Sequence, residues 1–200
     1  MPLVFGKYDP SAVKIDDISL SRYVNLETKL VPHSFGRQAR RRFEKGKLSV
    51  VERLINKIMR SGQGKRKMSG KYIRGRGSCG KKLQAMGIVE EAFEIVENRT
   101  KQNPLQILVK AIENVAPRED TTKIKRGGIS YAVAVDVAPL KRVDEALKNL
   151  ALAGFSGSFN KKKSAGEALA EELILASKED PKSSSVKRRD EVERVARSSR

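Results

Sequence analysis

The sequence predicts a mainly α-helical fold, a bundle of about six helices with one β-hairpin protruding between the third and the fourth. Three observations predict it. From Leu48 onward apolar residues recur at spacings of three and four, the mark of amphipathic helices. Helix-start signals stand ahead of those stripes: Ser49 with Glu52, Asn103-Pro104, Pro139, and Ser164 with Glu167. Only RGGISYAVAVDVAP, Arg126 to Pro139, breaks the pattern, with a glycine pair followed by strict alternation.

Residues 1–47 read as an N-terminal extension and basic arm, and 48–200 as the helical domain, with a basic loop at 62–82 and the hairpin at about 118–138. In the first helix, LSVVERLINKIMR, Val51, Leu54, Ile55 and Ile58 share a face. Ser49 and Glu52 have capping-box spacing, and Gly62 stops the helix. Leu83, Met86, Val89, Phe93 and Val96 form the second stripe, beside Ile88, Ala92 and Ile95, with Glu90, Glu91, Glu94 and Glu97 on the remaining face. Asn103 caps the third helix and Pro104 fits its first turn; Leu105, Leu108, Ile112 and Val115 face inward, and Pro117 ends it. The fourth runs from Pro139 with Leu140, Val143, Leu147 and Leu150, and the fifth follows Ser164 with Leu169, Leu173 and Ala176. The sixth lies within KSSSVKRRDEVERVARSSR, and there is no internal repeat.

In the hairpin, Ile129, Tyr131, Val133, Val135 and Val137 make the larger apolar face of the return strand, at least part of which is expected to pack on the bundle. Ser130, Ala132, Ala134 and Asp136 face the other way and permit close approach. Gly127-Gly128 allows a tight turn that ordinary residues resist, and Lys125 and Arg126 charge its end.

A net charge of +18 on 200 residues points to a polyanionic partner. Its distribution says more than its sum. Residues 37–82 hold seventeen basic and two acidic side chains, while 1–36 balance and the remainder carries only a small excess. A mixed charged surface would spread its cations; one quarter of this chain concentrates them into an electrostatic footprint. Arg37, Arg40, Arg41 and Arg42 offer forked donors matched to phosphate oxygens. Lys65, Arg66, Lys67, Lys71, Arg74, Arg76, Lys81 and Lys82 extend the set along the glycine-rich loop, where Tyr72 is a candidate for stacking on a base. Lys161 to Lys163 and Lys187 to Arg189 are weaker, each balanced by nearby acids.

Other chemistries find little purchase. Cys79 is the only cysteine and His33 the only histidine, so a disulfide framework, a cysteine-rich zinc site and a histidine acid–base pair are all unavailable. His33 reads as a polar residue of a turn, and Cys79 has no base partner. Glu90-Glu91 and Glu171-Glu172 read as solvated helix faces. GRGSCG, Gly75 to Gly80, matches a phosphate-loop pattern with Lys81, but Lys82 replaces the Ser or Thr and no buried strand precedes it. No catalytic residue, metal site, cofactor or small-molecule substrate is expected. No apolar run approaches the ~20 residues that span a bilayer, so no membrane partner is expected, and MPLVFGKYDP does not read as a signal peptide.

VERLINKIMRSG, NPLQILVKAIENVAPREDTTKIKRGG, AVDVAPLKRVDEAL, ALAEELILASKEDP and ERVARSSR together resemble the family of the seventh protein of the small ribosomal subunit, in its archaeal and eukaryotic form. The likeness spans roughly residues 20–200, and the length of the glycine-rich loop from Gly62 to Gly80 looks archaeal. It implies a helical bundle with a protruding β-ribbon and no enzymatic activity. It also implies a cytoplasmic ribosomal protein that binds the 3′ major domain of 16S-type rRNA and nucleates assembly of the head. Such proteins lie on the subunit interface near the decoding centre, with the ribbon toward the exit-site tRNA and the mRNA path, among other head and platform proteins. The RNA surface carried over is Arg37 through Lys47 with Lys45, then Lys123, Lys125, Arg126, Gly127 and Gly128, then Lys141 and Arg142, then Lys187, Arg188 and Arg189. The rival reading is an architectural DNA-bending protein with a basic β-arm; its wedge would have to be Ile129.

Overall fold

The fifth predicted helix takes the centre of the bundle. In the computed structural model, which describes residues 3–27, 30–36, 41–62, 64, 66–68, 71–73 and 80–200 (the backbone alone at 66–68, 71–73 and 126), all six predicted helices form. A four-residue helix α1 (Ile18–Ser21) precedes them, followed by a 3-10 turn (Glu44–Lys47) and α2 (Val50–Met59). The basic loop holds a short antiparallel pair that the sequence did not signal, β1 (Arg66–Met68) and β2 (Lys71–Ile73). Then come α3 (Lys82–Thr100), α4 (Pro104–Val115), the long hairpin β3 (Glu119–Arg126) and β4 (Ile129–Asp136), α5 (Pro139–Ser158), α6 (Ala165–Ser177) and α7 (Ser184–Arg197). With α1 counted, the hairpin falls between the fourth and fifth helices.

α6 packs against α3, α4 and α5 because its buried face is small or slender: Ala168, Leu169, Ala170, Leu173 and Ala176. α5 answers with two glycines. A Cβ on Gly154 would lie 3.2 Å from Leu169 Cδ1 and 3.4 Å from Leu169 Cα, and one on Gly157 3.1 Å from Ala168 Cβ. α2 closes the bundle against α5 and α3 with Val51, Leu54 and Ile55 buried. The stripe on α3 begins one turn later than its spacing suggests. Met86, Val89, Phe93 and Val96 are buried, but Leu83 is 81% exposed, on the first turn before the helix reaches its neighbours.

Two of the three predicted caps form. Asn103 accepts from Leu105 N with Pro104 in the first turn, and Ser164 and Glu167 make both bonds of the capping box. Ser49 stands at the cap of α2 without a side-chain bond, and the Glu52 carboxylate is taken by Ser34 and Lys82 instead of the cap. Glu172 corrects the solvated-face reading. It is buried, accepts from Ser183 Oγ at 2.6 Å and from Ser185 N at 2.9 Å, and so holds the start of α7 on α6.

Within the N-terminal extension, residues 3–27 form a strap on the bundle. Val4, Tyr8, Leu20 and Val24 are buried in the core, and the Tyr8 ring meets the Phe93 ring edge-on at 5.9 Å. Polar bonds fix the path between them. Lys14 N donates to Gln106 Oε1 at 2.8 Å, Gln106 Nε2 returns a bond to Lys14 O at 3.0 Å, and Asp16 N and Asp17 N both donate to Glu113 Oε1.

Among the described residues, the long hairpin is anchored at its root. Val137 is buried, Val137 N donates to Arg118 O, Glu193 of α7 accepts from Arg118 N at 3.0 Å, and Arg200 beyond α7 pairs with Glu119. Beyond the root Ile129, Tyr131, Val133 and Val135 are exposed, so the apolar face packs on the bundle at Val137 alone. The register pairs Ile124 with Tyr131 and Thr122 with Val133 on that face, and Lys123 with Ala132 and Lys125 with Ser130 on the other. Gly127 and Gly128 both have positive φ, 56° and 85°, as a two-residue hairpin turn demands.

Candidate nucleic-acid interface

The start of α5 joins the hairpin root, the strap and the 3-10 turn that follows the arginine run. Lys141 Nζ lies 2.8 Å from Asp120 Oδ2 at the hairpin root. Arg142, buried, donates to Ser19 Oγ at 2.6 Å and to Asp17 Oδ2 at 3.1 Å, which ties α1 and the strap to α5. Asp144, one turn on, pairs with Lys45 of the 3-10 turn and lies 3.3 Å from Arg53 Nη2 and 3.5 Å from Lys57 Nζ. One carboxylate thus gathers three cations. Burial alone would raise its pKa, but the bond from Lys45 and the charges of Lys57 and Arg53 hold it below the ordinary aspartate range. Burial in turn pushes Lys57 and Arg53 below their ordinary values, Asp144 opposing it only in part.

A second buried carboxylate fixes the other two basic segments. Glu52 accepts from Ser34 N and Ser34 Oγ, each at 2.8 Å, and from Lys82 Nζ at 2.6 Å. Ser34 lies just before the arginine run and Lys82 just after the glycine-rich loop, so α2 sets where both leave and rejoin the body.

The sequence-predicted residues divide accordingly. Arg41, Arg42, Lys47, Lys81, Lys123, Lys125 and Lys187 are exposed, Arg41 with Glu44 3.9 Å away, as are Gly127 and Gly128 at the tip. Arg42 lies 4.8 Å over the Phe43 ring. Lys45, Lys141 and Arg188 are exposed but ion-paired, with Asp144, Asp120 and Glu191. Arg142, Lys82 and Arg189 are largely withdrawn into structural roles, Arg189 between Glu179, Asp190 and the carbonyl of Asn114. Arg37, Arg40, Lys65, Arg74 and Arg76 lie outside the described residues, as do Cys79, most of the Gly75–Lys81 motif and the side chains of Arg66, Lys67, Lys71, Tyr72 and Arg126. His33 accepts from Phe35 N at 2.9 Å and closes its own turn. Sequence reasoning missed Arg53, Lys57, Arg22 and Phe43. The four-residue spacing of Arg53 and Lys57 was the one available signal, since it puts both on one flank of α2.

Among the described residues no group of three or more His, Cys, Asp or Glu could hold a metal ion, and no helix is long and apolar enough to cross a membrane. A helical body with basic segments rooted at α2 and α5 fits the class of nucleic-acid-associated scaffolds. The family model described as ribosomal protein S7p/S5e matches residues 20–200, and the chain belongs to that family, whose members are structural and non-enzymatic. It is 48% identical over 195 residues to a protein of Methanosphaera stadtmanae, covering 98% of this chain and 97% of the relative. It is 47% identical over 198 residues to one of Methanothermobacter thermautotrophicus, covering 99% of each. Both relatives carry the name small ribosomal subunit protein uS7.

Proposed function

We propose that this chain is a structural constituent of the small ribosomal subunit. In this reading it binds the 3′ major domain of the rRNA directly, nucleates assembly of the head, and lies at the subunit interface with its hairpin toward the exit-site tRNA and the mRNA path. The observation that carries the reading is the seam at α5, where Lys141, Arg142 and Asp144 fix the hairpin root, the strap and the arm to one helix. Basic segments rooted on a rigid body brace several RNA helices at once, and RNA junctions are read by shape and backbone. Each phosphate neutralised releases counterions, so binding weakens steeply with salt.

The test is competitive binding of the purified protein, at fixed salt, to a transcript of the 3′ major domain and to duplex DNA. Preference for the transcript with a steep salt dependence is expected. Equal or tighter binding to DNA overturns the reading in favour of a DNA-bending protein, the rival that the exposed Ile129 beside the hairpin tip keeps in play.

A further inference from the structure

We infer that the hollow between the strap and the 3-10 turn is a seat for one unstacked RNA base. The inference rests on the RNA-binding reading and adds a ligand to it. The hollow, about 320 Å³, is lined by Arg22, Tyr23, Asn25, Phe43, Gly46 and Lys47 among others. Phe43 is the element that packing does not explain. The residue is 62% exposed, and its backbone has φ 67°, a left-handed conformation that bulky residues avoid. Unfavourable backbone and unburied ring persist together where function selects them.

The chemistry around the ring suits a nucleotide. Arg42 covers one face of Phe43, its guanidinium carbon 4.8 Å from the centroid. A cation on one face and a base on the other is a sandwich suited to an unpaired base, because every base offers a π-face and none needs a particular edge. Arg22 and Lys47 are exposed on the rim, placed for the phosphates on either side of that base. The walls are pre-set by hydrogen bonds within and behind them. Buried Arg53 donates to Tyr23 O at 2.8 Å, Asn25 Nδ2 to Lys47 O at 2.6 Å, and Val50 N to Asn25 O at 2.8 Å. A second exposed ring on a left-handed backbone stands at the other end of the arginine run: Phe35 is 78% exposed with φ 52°, its ring 4.3 Å from that of His33.

The chain has no tryptophan, so Phe43→Trp is a single reporter at the seat. On addition of the 3′ major-domain transcript its emission is expected to be quenched, with affinity close to wild type. Phe43→Leu is expected to weaken binding by about 5- to 100-fold while leaving the salt slope unchanged, since it removes stacking and no charge. Lys47→Ala is expected to lower that slope by about one phosphate's worth. Circular dichroism checks that each variant folds. If wild type binds but the tryptophan is not quenched and Phe43→Leu binds equally well, the seat is overturned and the RNA-binding reading stands. If wild type fails to bind the transcript, that reading falls and the seat with it.

Discussion

Glu52 of α2 and Lys82 at the end of the basic region form an ion pair at 2.6 Å, with the Glu52 side chain 1% exposed and that of Lys82 14%. The same Glu52 oxygen accepts twice from Ser34, so a single carboxylate locks α2 to the arm and to the start of α3. Burial works against its ionisation, but Lys82 and Ser34 outweigh it and hold the carboxyl below the ordinary glutamate range. A folded-state value below the unfolded one means the bonds contribute above about pH 4 and are lost as pH falls through the folded value. Asp144, Asp17 and Asp120 shift the same way. Glu52→Gln is therefore expected to cost about 1–3 kcal/mol at neutral pH. It should also flatten the acid side of the stability profile, as read by urea denaturation from neutral pH down to about pH 3. An unchanged acid limb would remove Glu52 from this role.

Asp144 makes the complementary case. Its partner Arg53 is 4% exposed, whereas Lys45 is half exposed. Removing the carboxylate strands a buried guanidinium, so Asp144→Asn is expected to cost about 3–5 kcal/mol. Lys45→Ala removes only an exposed partner and should cost less than about 1 kcal/mol. Chemical denaturation of the two variants side by side checks the ratio; equal losses would mean that Lys45, not Arg53, depends on Asp144.

Much of this fold could be read from residue order, and the misses share a cause. Local signals held where local partners decide: Asn103 and Ser164 cap their helices through neighbours two or three positions away. Ser49 and Glu52 have the same spacing, yet Ser34 and Lys82, eighteen and thirty residues distant, take the carboxylate. The strap escaped notice because Val4 with Tyr8 and Leu20 with Val24 are isolated pairs, too short to make an amphipathic stripe, though all four are buried. Charge counting found the basic region but could not tell an outward Lys47 from an inward Arg142, since burial is set by Asp17 and Ser19 far upstream. Phe43 carries no sequence signal beyond lying next to Arg42.

The α5–α6 contact depends on a missing side chain. Leu169 Cα lies 3.4 Å from where a Cβ on Gly154 would be, and backbone on that side yields less readily than a side-chain tip. Gly154→Ala gains helix propensity, about 1 kcal/mol, against that crowding, and is expected to be near neutral. Gly154→Val adds bulk with no room and is expected to destabilise by about 1–3 kcal/mol. Thermal melts of both variants check this; a neutral valine would mean that α6 shifts freely along α5.

The hairpin separates stability from function along its own length. Val137 at the root is buried, while Tyr131 is half exposed and the glycine turn stands clear of the bundle. Val137→Ala is therefore expected to cost about 1 kcal/mol, and Tyr131→Ser no more than about 0.5 kcal/mol. Deleting Arg126–Gly128 removes the tip and leaves the root bonds of Val137, Arg118, Glu193 and Glu119 in place. The shortened protein should melt with the wild type and enter reconstituted small subunits. If the ribbon works at the exit site as proposed, those subunits should translate more slowly, with weakened retention of deacylated tRNA. Normal translation by subunits shown to contain the shortened protein would reject a ribbon role there, while the seam at α5 could still account for RNA binding. The ribbon and the seam thus answer to different assays, the first to translation and the second to assembly.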